Sequence, residues 1–181
     1  MTELYKAAQF KQEPWRAVDL AKEKLPLISE EKGMNEERDN LSALLVDIAA
    51  NLAESAGRAK ETVRKQELLD KLDEHRELME SPFYMSATAK VNLENQIKAV
   101  EEARARVQRD INRNIRLDQA EASMQASLER KETKETYDTR KELLRDFPEL
   151  RDHERLVTLV RSASNIQQTL VKPSANLPKT I

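Results

Sequence analysis

Apolar residues recur along this chain at steps of three and four, so its pattern predicts amphipathic helices. A short helix over residues 2–12 would gather Leu4, Tyr5 and Ala8 on one side. Pro14 suits the first turn of a second, in which Trp15, Val18, Ala21 and Leu25 share a face. Pro26 and the run ISEEKGMN, with Gly33, break the pattern. Asn35 then reads as an N-cap, followed by Glu36 and Glu37 where carboxylates suit a helix dipole. From Leu41 the stripe runs through Leu44, Leu45, Ile48, Leu52, Ala56, Ala59 and Val63, and on through Leu68, Leu69, Leu72, Leu78 and Met79. It predicts one helix over 36–80, or two meeting near Gly57.

Ser81-Pro82 ends that stretch, because the residue before proline avoids the helical region. Ser86 can cap the next helix, whose seam is Leu93, Ile97, Val100, Val107 and Ile111, with Arg104 in the missing position. The stripe then shifts to Ile115, Ala120, Met124 and Leu128, as a stutter would shift it. Together these predict a helix of about 45 residues, roughly 65 Å long. RKETKETYD is nearly all polar and reads as an exposed continuation or a hinge. A helix with Leu143 and Leu144 ends at Phe147-Pro148, and a last one carries Leu156, Leu159, Ala163, Ile166 and Leu170. The closing KPSANLPKTI holds two prolines and reads as an extended tail.

Composition sharpens this picture. Charged residues make up 35% of the chain, aromatics 4%, and there are only 2 glycines, Gly33 and Gly57. Glycine-rich phosphate loops, dinucleotide-binding turns and the nucleophile elbow of hydrolases are therefore excluded. There is no cysteine, so neither a disulfide nor a thiolate metal site can form. His75 and His153 stand far apart in charged stretches, lack the Glu-x-x-His and HExxH contexts, and read as surface residues. No catalytic residue, metal or cofactor is expected. The net charge of −2 steers the chain to neither nucleic acid nor anionic lipid. No apolar run is long enough to cross a membrane, and MTELYKAAQFKQEPW lacks the apolar core of a signal peptide. The expected location is the cytoplasm or a large soluble assembly.

Two features point toward partners. Arg106, Arg109, Arg113 and Arg116 share a helix face nearly opposite the Val100–Ile111 seam, a row suited to phosphates or an acidic protein. No aromatic residue interleaves them, which weighs against single-stranded nucleic acid. The other feature is IAANLAESAGR, residues 48–58. Asn51, Leu52, Ala53, Glu54, Gly57 and Arg58 resemble the ANIAEGxGR signature of the small four-helix-bundle proteins encoded in ribosomal RNA intervening sequences. Ser55 departs from it, the spacing from Leu41 is one turn short, and nothing after residue 80 corresponds. The resemblance implies a bundle that self-associates and binds nucleic acid.

These readings define an all-α protein, an elongated helical bundle or coiled coil with at least one very long helix and an extended C-terminal tail. Residues 1–34 would form short helices and a loop, 35–171 the bundle, and 172–181 the tail. The expected function is a non-enzymatic subunit of a larger protein complex, with itself or another protein as partner. Contacts would use Leu93, Ile97, Val100, Val107 and Ile111 on one seam and Leu156, Leu159, Ile166 and Leu170 on another, with Leu177 and Ile181 anchoring the tail. The alternative is a nucleic-acid-binding adaptor that uses the arginine face.

Overall fold

The computed structural model describes residues 15–16, 18–20, 22–23, 35–82 and 84–171, and all regular structure among them is helical. The all-α expectation holds. After the helical residues between 15 and 23 come α1 (Asn35–Arg58), α2 (Thr62–Glu80), α3 (Ala87–Asn92), α4 (Glu94–Glu129), α5 (Thr133–Asp146), a 3-10 turn (Pro148–Leu150) and α6 (Glu154–Val171). α4 is the very long helix, at 36 residues. Where the spacing predicts about 45, Leu93 leaves helical geometry at φ −105°, ψ 11° and separates α3 from α4. Ser86 does cap α3, accepting from the Ala89 amide at 3.1 Å.

The chain divides into two compact units, Met1–Ile111 and Asn112–Ile181, with the boundary inside α4. The sequence reading treats 35–171 as one bundle, but two separate cores form. The reason lies in α4, where the buried positions change register between Ile111 and Leu117. Ile115, expected on the stripe, is 44% exposed, and Leu117 is buried instead.

In the first unit α1 and α2 are antiparallel neighbours, and Leu45, Ile48, Leu52, Leu69 and Leu72 lie fully inside. Val18 is buried against them, and Trp15 and Leu20 pack alongside. The Arg64 guanidinium stands 4.5 Å from the centre of the Trp15 ring, within cation–π range. The chain turns between Arg58 and Thr62, so the single-helix alternative over 36–80 gives way to two helices. The turn resets the helical register, and Val63 consequently faces solvent. Buried Lys65 closes the turn, with Nζ 3.1 Å from the Gly57 carbonyl, 3.3 Å from that of Ala56 and 3.8 Å from the Asp110 carboxylate. A cation there answers the negative end of the α1 dipole.

Gly57 sits in the last turn of α1 without needing to be glycine. A Cβ added there would stand 4.0 Å from Val107 Cγ2, an ordinary contact. Gly57→Ala is therefore expected to raise the unfolding free energy by about 0.5–1 kcal/mol through helix propensity. Urea denaturation reads the change, and a loss of stability would show that the crossing is tighter than this distance implies.

Arg104 explains the gap in the α4 seam. Its guanidinium grips Asp73 of α2 through two bonds, Nε–Oδ1 and Nη2–Oδ2, both 2.7 Å. Arg76 joins them, 3.2 Å from Asp73 Oδ1 and 2.8 Å from Glu101 Oε1. Arg104 holds the Asp73 carboxyl below its ordinary range, and Asp73 in turn raises the pKa of Arg104.

In the second unit Leu117, Ala120 and Met124 of α4 meet Leu143, Phe147, Leu150 and Leu156. RKETKETYD contains the break between α4 and α5. Glu132 N bonds the Ser127 carbonyl at 2.8 Å and Lys131 N that of Leu128 at 3.0 Å, the two bonds of a Schellman cap. Lys131 holds the left-handed position at φ 61°, where glycine is the usual residue. Lys131→Gly is expected to stabilise this unit by about 0.5–1 kcal/mol, less than the full relief of the strain because glycine also loosens the unfolded chain. An unchanged or lowered melting temperature would refute this.

Candidate association surface

α6 begins at Glu154 after the 3-10 turn that Pro148 starts, and its apolar stripe points into the second unit. Leu156 and Ala163 are fully buried, while Leu159, Val160 and Ile166 are half-buried. The stripe then outruns its cover. Gln167 bonds Thr133, the first residue of α5, with Nε2 3.1 Å from Oγ1, so the two helices are level at that point. Residues 168–171 extend past the start of α5, and Leu170 is 66% exposed. From Ser162 to Val171 α6 carries no charged side chain at all, although 35% of the chain is charged.

The other predicted seam is closed from within. Val100, Val107 and Ile111 are buried in the first unit's own core, and Leu93 and Ile97 pack against it from partly exposed positions. This corrects the assignment of that seam to a partner: α1 and α2 supply the apolar surface it covers. Leu177 and Ile181 lie outside the described residues.

The four arginines all belong to α4. Arg106 and Arg109 are exposed in the first unit. In the second, Arg113 is half-buried, and Arg116 lies 3.8 Å from the Asp146 carboxylate. The 48–58 motif forms the end of α1, where Leu52, Ala53 and Ala56 are buried and Glu54 pairs with Arg58 at the surface.

Clefts lie beside these surfaces in both units. In the first unit a cleft of about 430 Å³ has Met79, Met85 and Ile97 among its walls, ringed by Arg76, Lys90, Lys98, Glu80, Glu94 and Glu101. Its rim is balanced, three cations against three carboxylates. In the second unit Glu121, Arg155 and Leu159 help to line a cleft of about 630 Å³. Arg155 Nη1 lies 3.1 Å from Glu121 Oε2, while Glu121 Oε1 and His153 Nδ1 face each other at 3.8 Å without a hydrogen bond. Among the described residues no three His, Asp or Glu side chains gather to hold a metal ion. No described helix is long and apolar enough to cross a membrane.

His75 overturns its sequence reading. The charged neighbours in KLDEHRE suggest a surface residue, yet the ring is 0% exposed between α2 and α1. Its Nε2–H donates to the Leu45 carbonyl at 2.7 Å, and Nδ1 has no hydrogen-bond partner. Burial pushes its pKa down to about 4, against a smaller upward pull from the Leu45 carbonyl. The missed signal was position: His75 follows Leu68 and Leu72 at steps of four and three, on the stripe itself.

Compared with known proteins, the chain matches no family model, no curated sequence and no solved structure.

Proposed function

We propose that this chain is a non-catalytic assembly subunit that joins other protein through the exposed end of α6. The observation that carries the reading is the overhang of α6, where an apolar stripe continues past its own unit and ends in exposed Leu170 on an uncharged helix. Interface centres are depleted in charge in the same way, because a charge buried on association must be desolvated. The first-unit seam is already occupied by its own core, which leaves α6 as the seam with apolar surface to spare.

The test is the mass of the species that contains the chain after chemical cross-linking inside the cells that express it. The proposal expects a species heavier than 20.9 kDa that Leu170→Glu reduces to the single chain. A single chain in both cases would overturn it. A heavy species that survives Leu170→Glu but falls apart on nuclease treatment would favour the nucleic-acid adaptor, with Arg106, Arg109 and Arg116 the exposed members of the arginine row.

A further inference from the structure

We propose that the partner at the α6 end is the same end of a second copy, two α6 helices crossing about a two-fold axis. The inference rests on the reading of α6 as an association surface and names what covers it. A two-fold axis sets a surface patch against itself, so every charge near the axis meets its own like. Like charges brought together at an interface oppose association. Residues 162–171 add no charge of their own to such a contact, being the longest uncharged run in the sequence.

The exposed surface of α4 would add charge. There Arg106 and Arg109 would confront their own copies. The same neutrality argues against a strongly acidic or basic partner, which would find no counter-charge between Ser162 and Val171. Ser162, Gln167 and Thr169 border the apolar line of Ile166 and Leu170. Their polar groups are already bonded within the chain, Ser162 and Thr169 donating to α6 carbonyls and Gln167 to Thr133, so covering this face strands none of them.

The geometry also sets the strength. Residues 168–171 overhang α5 by about one turn, so the contact centres on Ile166 and Leu170 and stays below the roughly 1,000 Å² that marks a stable interface. The dimer is accordingly weak, with a dissociation constant on the order of 10–100 µM.

Sedimentation equilibrium of the purified chain, from about 1 µM to 1 mM, tests this. The mass is expected to rise from 20.9 kDa toward twice that value as concentration increases. Leu170→Glu is expected to raise the dissociation constant roughly 50-fold or more, since two leucines leave the contact together. Leu170 is mostly exposed, so the circular dichroism and the melting temperature should stay unchanged. Val91→Glu is the control, an exposed apolar residue on α3, and should leave the dimer intact. A wild-type chain that stays monomeric across the range overturns the second copy as occupant. So does a dimer that Leu170→Glu leaves intact, or that Val91→Glu weakens equally. A monomer in isolation that is nonetheless part of a Leu170-dependent complex in cells would sink this inference while sparing the assembly reading. Monomers in both settings would sink both.

Discussion

Acidification from pH 7 to pH 4 is expected to destabilise the first unit by about 3 kcal/mol through His75 alone. The folded pKa is about 4, against an ordinary value of 6.5. The folded state therefore resists protonation while the unfolded chain accepts it. Between pH 6.5 and pH 4 the unfolded state binds more protons, so stability rises with pH in that window. The contribution is fully present above about 6.5 and is lost as the pH falls toward 4. The geometry supplies the cause: Nδ1 sits in the core with no acceptor in reach, so a proton placed there makes a buried cation with an unpaired donor. Asp73 acts in a different window. Its carboxyl is held below 3.8 by Arg104, so its contribution is present above that value and is lost only in stronger acid. Urea denaturation at intervals from pH 7 to pH 4.5 separates the two. His75→Leu should flatten the slope over that range, and a slope that survives the substitution would remove His75 as its source.

His75 also shows where the sequence was legible and where it was not. Spacing located the helices well: the Ser81-Pro82 stop, the Ser86 cap and the end at Phe147-Pro148 all follow from local backbone chemistry. Local chemistry also registered Arg104 as a gap in the seam, though its partner Asp73 lies 31 positions away and had to be seen. Charge density misled at His75, because a single side chain on the buried stripe can be flanked by charges on the faces beside it. Long-range pairing was the larger blind spot. An apolar seam looks the same in sequence whether α1 and α2 cover it or a second chain does, so the Val100–Ile111 seam was assigned outward. The division at Ile111 was half visible, since the stripe shifts register there, but a stutter in one core and a change between two cores leave the same trace.

Val107→Asp decides how that seam is used. Val107 is 3% exposed and belongs to the first unit's core cluster, its Cγ2 4.0 Å from where a Cβ at Gly57 would stand. A carboxylate there leaves water, or takes up a proton at the expense of folding, and either route is expected to cost about 4 kcal/mol. Total stability for a domain of this size is about 5–15 kcal/mol, so a large part of the first unit's reserve would go. The two possible roles of the seam give opposite results. If the seam were intermolecular, the substituted chain would keep its helicity and its melting behaviour and lose only mass. Since the seam closes against α1, the expected result is loss of helicity and protection in residues 35–111. Residues 117–163 should keep their protection, because their core shares no residue with the cluster that holds Val107. Amide hydrogen exchange resolved along the chain reads both regions in one experiment. Protection over 35–111 within 1 kcal/mol of the parent would mean that α4 does not close the first core.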